Sequence, residues 1–293
     1  MSFRKISIIG VGLLGGSIGL AARKTRLAGE VAGFVRREKS VAECEKYGVT
    51  DYATTDLLAA VSNADVVILC IPLAQMRPLA EKFLPALSRD AVVTDVGSVK
   101  TGVVRELEPL VARAGAHFVG SHPMAGAEKT GVAAARENLF DKAVCVLTPT
   151  KKSTATAVRR VEQFWKALGA RALKLPPEQH DVLVGRSSHL PHIVAATLAS
   201  LVLDPARPKA QAQLCANGFR DTTRIASGSP EMWRDIALAN RRNLAKSLNR
   251  FIAGLRQFQK SLDRADAKAI SKFFERAKSR RDAWHPRILN SEF

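Results

Sequence analysis

The sequence predicts an α/β fold in which a doubly wound sheet of Rossmann type is followed by an all-helical C-terminal domain. Short apolar runs alternate with helical segments over the first 175 residues, which is typical of a parallel sheet with crossover helices. A glycine-rich turn follows the first apolar run. From Gln179 onward, long helical periodicities replace the alternation. We therefore expect one domain over residues 1–175 and a second over residues 176–293.

The strand predictions rest on β-branched and apolar runs, of which the run over 65–71 is nearly unbroken Val, Ile and Leu, as in a strand buried on both faces. Helices are predicted where apolar residues recur at helical spacing, and Pro176-Pro177 breaks the pattern between the domains. The predicted strands are 5–9, 30–35, 65–71, 91–95, 117–119, 143–147 and 172–175. The predicted helices are 12–24, 41–47, 55–62, 155–168, 180–204, 208–225, 230–256 and 262–283.

Composition excludes several classes of protein. The 293 residues are 46% hydrophobic, which is enough for a substantial core, but no apolar run reaches the length of a membrane span. The N-terminus lacks the apolar stretch of a signal peptide. The four cysteines form no CxxC pair and no His/Cys spacing for a metal. We expect a cytoplasmic protein that has no membrane contact and needs no metal.

The formal net charge is +18, from 45 Lys+Arg against 27 Asp+Glu. Much of the excess lies in the C-terminal third, where basic residues alternate with apolar ones at helical spacing, as on a solvated helix face. Aromatic residues do not interleave with the charges as they do in single-strand-binding proteins. We therefore expect no nucleic-acid partner, although a positive field attracts anionic substrates and cofactors.

The glycine turn Gly10-Val11-Gly12-Leu13-Leu14-Gly15 has the GxGxxG spacing of a dinucleotide site. It follows a strand and opens a helix within a βαβ unit, which is the context that the motif requires. In such turns the first glycine permits the tight bend, the second admits the pyrophosphate and the third allows close packing. The expected cofactor contacts comprise Gly10, Gly12, Leu13, Leu14, Gly15, Val35, Arg36, Arg37, Cys70, Pro72 and Ser98.

The end of the second predicted strand bears on the choice of cofactor. An NAD site usually has an acidic residue about 20 residues past the glycines, which binds the ribose 2′-hydroxyl. Here Val35-Arg36-Arg37 occupies that place, and arginine pairs well with a 2′-phosphate. We predict NADP, with NAD as the alternative if both arginines are ordinary exposed charges.

Four further segments carry polar residues suited to chemistry. They are 95–100, 120–126 followed by Glu128, 188–192 preceded by His180, and 218–226. Ser98 and His122 follow predicted parallel strands, whose carboxyl ends are where open α/β sheets bind ligands. A histidine there can act as a general base. Ser98 suits a hydrogen bond to the substrate and also the N-cap of a helix, and both roles can hold at once.

Arg224 stands among Thr, Ile and Ala at helical spacing, so it needs an anionic partner. Asp221, three residues earlier, is one candidate, and a substrate carboxylate is the other. Taken singly, His189 and His192 suit packed core positions as well as ligand contacts.

These segments, which read GSVK, GSHPMAG, SHLPH and FRDTTRIA in order, resemble the prephenate/arogenate dehydrogenase family, the cyclohexadienyl dehydrogenases of tyrosine biosynthesis. The resemblance runs over nearly the whole chain. It implies oxidative decarboxylation of prephenate or arogenate with hydride transfer to the nicotinamide cofactor, and a homodimer formed through the helical domain.

Carried onto this sequence, the resemblance assigns residue roles. His122 matches the histidine that accepts the proton of the ring 4-hydroxyl, and Ser98 the serine near that hydroxyl and the nicotinamide. Arg224 matches an arginine that binds a substrate carboxylate. The remaining expected substrate contacts are His192, His180, Glu128 and Asp221.

Two rival functions remain at this stage. A β-hydroxyacid dehydrogenase also joins a Rossmann domain to a helical one, but it would place a catalytic lysine where this sequence has His189 and His192. A non-catalytic dinucleotide-binding regulator would explain the positive charge. No residue decides between prephenate and arogenate.

Overall fold

The computed structural model describes residues 3–126, 130–206 and 208–284. Six strands form a parallel sheet in the order β3-β2-β1-β4-β5-β6, which confirms the Rossmann-type fold. The strands are β1 (Phe3–Ile9), β2 (Ala28–Phe34), β3 (Tyr52–Thr54), β4 (Val66–Leu69), β5 (Val92–Asp95) and β6 (His117–Phe118).

Helices cover both faces of this sheet, as the division of its core shows. Ile8 and Ile68 belong to one buried apolar cluster, whereas their neighbours Ile9 and Leu69 belong to another. Successive side chains of a strand point to opposite faces, so the sheet has a core on each side. The helices of this region are α1 (Leu13–Lys24), α2 (Glu38–Tyr47), α3 (Leu57–Val61), α4 (Leu73–Phe83), α5 (Thr101–Ala112) and α6 (Ala155–Ala167).

A second sheet of three strands, which the sequence did not reveal as a separate unit, carries the predicted base. Strand β7 (Gly120–Pro123) pairs antiparallel with β8 (Val144–Thr148), and β9 (Arg171–Lys174) pairs parallel with β8. His122 therefore lies inside a short strand of its own, opposite Val146, and not at the end of a parallel strand as predicted.

The C-terminal region is helical, as predicted, and no strand occurs after Lys174 within the described residues. The helices predicted over 208–225 and 230–256 are each interrupted, and the helix predicted over 262–283 begins later, at Ala267. Residues 177–202 run as one helix in which a π-helical turn, Gly185–His189, separates α7 from α8. The helices are α7 (Pro177–Val184), α8 (Leu190–Val202), α9 (Lys209–Gln213), α10 (Asn217–Thr223), α11 (Pro230–Ala239), α12 (Arg241–Asp263) and α13 (Ala267–Asp282), with a 3-10 turn at Arg224–Ser227.

The chain divides into two compact units, one ending at Asn243 and one beginning at Leu244. The first unit thus continues well past the boundary predicted near residue 175 and contains every described candidate site residue. Of the helices in the described parts of the chain, none is both long and apolar enough to cross a membrane.

Candidate active site

The glycine turn after β1 leaves room for a bound phosphate. Gly10 has φ of +95°, and a Cβ at this position would lie 2.6 Å from the Cys70 carbonyl oxygen. A Cβ on Gly15 would lie 2.2 Å from the Gly10 carbonyl oxygen, so both positions require glycine. A Cβ on Gly12, in contrast, would have no neighbour within 4 Å. This open approach to the N-terminus of α1, where no side chain caps the helix, fits a dinucleotide pyrophosphate.

The end of β2 presents arginine to solvent and no carboxylate. Val35 is 5% exposed, whereas Arg36 and Arg37 are both exposed. The first acidic residue after them, Glu38, accepts a hydrogen bond from the Thr55 hydroxyl at 2.6 Å. Two exposed arginines therefore stand in the part of the chain where an NAD site usually has its ribose-binding carboxylate. Cys70 and Pro72 follow strand β4, which pairs with β1 and not with β2.

His122 is buried and is the first of three side chains that are linked in series by hydrogen bonds. Its Nδ1 lies 2.9 Å from Nε2 of His180, and His180 Nδ1 lies 2.8 Å from Oδ1 of Asp181. His122 is 8% exposed and His180 is fully buried. Burial, and then the neighbouring His180 and Lys100, lower the pKa of His122 well below its ordinary value. His122 is therefore neutral at physiological pH, as a base must be.

Asp181 is held by the backbone at the start of α5. Its Oδ1 accepts a hydrogen bond from the Lys100 amide at 2.7 Å, and its Oδ2 accepts one from the Thr101 amide at 2.9 Å. The hydrogen bonds from His180 and Thr101 outweigh the effect of burial and lower the pKa of the carboxyl. Asp181 is therefore an ionised carboxylate at a helix N-terminus, where negative charge is favoured. Lys100, and not Ser98, is the N-cap residue of this helix.

A buried ion pair contacts the backbone of strand β7. The Lys100 ammonium contacts the Asp95 carboxylate and also donates to the Ser121 carbonyl oxygen at 2.8 Å. Asp95 accepts from the Ser121 amide at 3.1 Å, and the Trp165 indole donates to the Ser121 hydroxyl at 2.9 Å. The residue before His122 is thus fixed through both its backbone and its side chain.

The amide of Asn240 determines the protonation of His189. It donates to the Asp181 carbonyl oxygen at 2.8 Å and contacts His189 Nδ1 at 3.1 Å, while its Oδ1 accepts from Asn243. Because this amide can only donate to His189 Nδ1, the His189 proton lies on Nε2. That Nε2 is buried and makes no hydrogen bond of standard geometry within the described residues. Burial lowers the pKa of His189 to about 4, although the nearby Ser98 backbone opposes the shift.

His192 lies on α8 and stacks on Trp233 of α11, with ring centroids 3.5 Å apart. Its Nδ1 donates to the Ser188 carbonyl oxygen at 3.1 Å, so the neutral ring offers Nε2 as an acceptor. Trp233 also contacts His189 edge to face at 6.1 Å. The stack therefore joins His192 to the group formed by His122, His180 and His189.

Most predicted site residues lie in one region. His189 lies near the Ser98 backbone and near His122. His180 differs from its prediction as a substrate contact because it is fully buried, with both ring nitrogens occupied. Arg224 begins the 3-10 turn that packs against α8, and both it and Asp221 are exposed. Glu128 lies outside the described residues.

Several site residues escaped sequence reasoning, namely Asp95, Lys100, Asp181 and Asn240. Asp95 and Lys100 belonged to a segment already singled out, but nothing in their spacing showed that the pair is buried. Asp181 lies 81 residues from its partner Lys100. Its position directly after His180 was the one available signal.

Known proteins resemble the chain over nearly its whole length. Residues 18–174 match the family model "Prephenate dehydrogenase, nucleotide-binding domain", and residues 176–276 match "Prephenate dehydrogenase, dimerization domain". The prephenate dehydrogenase of Bacillus subtilis is 35% identical over 280 residues, which cover 94% of this chain and 75% of that protein.

Two solved structures have the same architecture. One is prephenate dehydrogenase from Aquifex aeolicus in complex with hydroxyphenyl propionate and NAD+, with TM-score 0.89, 33% identity, and coverage of 96% of this chain and 98% of that one. The other is Synechocystis arogenate dehydrogenase, with TM-score 0.80, 31% identity, and coverage of 95% and 99%. The glycine turn, the order of the strands and the two matched family models agree, and the chain belongs to the prephenate dehydrogenase family.

Proposed function

We propose that this protein oxidatively decarboxylates prephenate or arogenate, with a nicotinamide dinucleotide as the oxidant. The observation that carries the proposal is the neutral, buried His122, whose Nδ1 is engaged by His180. Its Nε2 is the nitrogen left for a proton from substrate. Ser98 and the glycine turn follow β5 and β1, which flank β4 in the sheet, so Ser98 and the cofactor site share one edge.

The reaction needs a base and accurate positioning from the protein. His122 Nε2 accepts the proton of the C4 hydroxyl, and Ser98 orients that hydroxyl. When bound, the nicotinamide would supply the hydride acceptor for C4. The electrons of the bond between C1 and its carboxylate enter the ring as CO2 leaves, and the ring becomes aromatic. Aromatisation favours the products, so orientation and proton removal are what the side chains contribute.

Charged residues near α8 would hold the substrate, which carries two carboxylates. We assign Arg224 to a carboxylate and His192 to a polar contact within the same pocket. Asp221 and Glu128 are proposed as supporting polar residues.

We further propose NADP as the preferred cofactor. The exposed Arg36 and Arg37 follow a buried Val35, and the nearest acidic side chain, Glu38, is engaged by Thr55. A 2′-phosphate would meet two guanidinium groups and no ribose-binding carboxylate. NAD stays the alternative, as does the choice between the two substrates, which differ by a keto group and an amine.

A homodimer in the cytoplasm is the proposed working state. The match of residues 176–276 to a dimerization domain agrees with large apolar side chains that the single chain leaves in solvent, among them Leu201 at 57% and Leu214 at 77% exposure. The cysteines are free, which suits a reducing compartment. Light scattering coupled to size exclusion tests the assembly.

The deciding experiment measures reduced nicotinamide by absorbance for each substrate with each cofactor. We expect turnover with prephenate or arogenate, faster with NADP, and a fall in kcat of about 10²–10⁴-fold in His122→Asn. Normal cofactor binding and thermal unfolding would show that the variant is folded. No turnover in any combination, or near-normal turnover by His122→Asn, would refute the proposal.

A further inference from the structure

We propose that His122 does not keep the substrate proton but passes it to His180, so that His122, His180 and Asp181 form a proton relay. This inference rests on the proposed function of His122 as the base. It assigns to His180 and Asp181 a role behind the base, in place of the substrate contact expected for His180.

The hydrogen bonds of the three side chains determine the direction of the relay. Asp181 is an ionised acceptor, so His180 Nδ1 carries a hydrogen and donates to it. In neutral His180 the other nitrogen, Nε2, is then an acceptor. It accepts from His122 Nδ1 at 2.9 Å. This leaves His122 Nε2 without a hydrogen and ready to accept one.

The surroundings make His180 the better place for the positive charge. Around His122 lie the Lys100 ammonium, His180 and His189, each of which disfavours a cation there, and Cys145 of the adjacent strand β8, whose thiol has a pKa raised far above its ordinary value by burial and is therefore uncharged. The Asp95 carboxylate is already paired with Lys100. Among the described side chains around the two rings, only His180 contacts a carboxylate that is otherwise held by neutral backbone amides.

The proton balance follows directly. The substrate hydroxyl gives its proton to His122 Nε2 as hydride leaves C4. The hydrogen on His122 Nδ1 moves to His180 Nε2, which forms a His180 imidazolium beside the Asp181 carboxylate. His122 is then neutral with its hydrogen on Nε2. As CO2 leaves, the electrons of its bond to C1 enter the ring and leave the C4 oxygen as a phenolate. The reverse transfers then return the proton through His122 Nε2 to that oxygen, and the product leaves as a phenol.

Imidazole nitrogen NMR tests the relay without any turnover. In the full-length protein, ¹⁵N–¹H spectra of the side chains should show His122 and His180 each with hydrogen on Nδ1 and a bare Nε2. Assignments come from His122→Asn and His180→Gln. A hydrogen on Nε2 of resting His122 would overturn the proposal.

Kinetics separate proton transfer from positioning. In His180→Gln the side-chain amide donates to Asp181 and its oxygen accepts from His122 Nδ1, so both hydrogen bonds are kept but no proton can be taken up. We expect kcat to fall at least tenfold with KM unchanged. The acidic limb of the pH profile of kcat should move to lower pH in this variant. That limb then reports protonation of His122 alone, and the groups around His122 disfavour a positive charge on it. The control is His117→Gln, at the far end of the sheet and half-buried beside Asp90.

The two hypotheses fail in different ways. If the wild type turns over but His180→Gln stays within twofold of it with the same pH profile, His180 only positions the base and the relay is wrong. If the wild type turns over neither substrate, the proposed function is wrong, and the NMR spectra still decide whether the relay exists.

Discussion

The Lys100 ammonium and the Asp95 carboxylate form an ion pair in which neither side chain exposes any surface to solvent. The pair joins the end of β5 to the backbone of Ser121, directly before His122. Burial lowers the pKa of Lys100, and the Asp95 carboxylate opposes that shift. The charge near the base is therefore fixed by a contact that water does not reach.

Removing one partner of this pair should destabilise the fold severely. Lys100→Met leaves the Asp95 charge buried without its cation, which typically costs about 3–5 kcal/mol. Urea unfolding measures the change in the free energy of unfolding. The control is Lys166→Met, which breaks an exposed i,i+4 pair with Glu162 and should cost less than about 1 kcal/mol. An equal change in the free energy of unfolding in the two variants would show that the buried pair contributes no more to stability than the exposed one.

Acid should destabilise the protein partly through His189. Its pKa is about 4 in the folded state against 6.5 for an ordinary histidine, so the unfolded chain binds the proton more readily. The stabilisation is complete above pH 6.5 and is lost as the pH falls towards 4, by roughly 3 kcal/mol.

In His189→Gln, which keeps an acceptor for Asn240 but cannot titrate, the free energy of unfolding should decline less over the same pH range. Urea titrations at pH 7, 5.5 and 4.5 would measure the slopes, and His117→Gln should match the wild type. His122 contributes to the wild-type slope in the same direction. An unchanged slope in His189→Gln would contradict the assignment.

Arg224 should act on substrate binding more than on the chemical step. Losing a charge-assisted contact to a carboxylate typically costs about 1.5–3 kcal/mol, so Arg224→Ala should raise KM about tenfold to a hundredfold with little change in kcat. The matched control is Arg220→Ala, one turn earlier on α10 and also exposed. If KM rises equally in both variants, general charge and not a specific contact attracts the substrate.

The cofactor proposal makes a separate prediction. Replacing Arg36 and Arg37 together by alanine should weaken NADP binding at least tenfold and leave NAD binding nearly unchanged, because only NADP carries the 2′-phosphate. Titration by fluorescence or calorimetry gives both dissociation constants. Arg105→Ala, which removes an exposed charge on α5, is the control. An equal loss for the two cofactors would contradict NADP selectivity.

Local patterns predicted the fold well. The glycine turn and the nearly unbroken apolar run over 65–71 are properties of short segments, and the structure confirms a parallel sheet there. The two-residue strand β6 and the four-residue strand β7 are too short for periodicity to separate them. That is why His122 was expected at the end of a parallel strand and lies within an antiparallel one.

The site was predictable only as far as single residues suggest chemistry. Ser98, His122 and His192 were expected and lie in one region. The contacts that hold the side chains around the base join residues far apart in sequence, such as Asn240 with His189 and Asp181 with Lys100. Such pairs have no characteristic spacing in the sequence, because their members come together only when the chain folds.

The π-helical turn Gly185–His189 sets the angular phase between the two halves of a continuous helix. It adds a residue to one turn, and each residue of an α-helix corresponds to about 100° of rotation. His180 and Asp181 precede the turn, whereas His192 follows it. Deleting one residue between 185 and 189 would therefore keep a regular helix but turn the two histidine-bearing faces away from each other. Homologues should vary in the identity of these residues more readily than in their number.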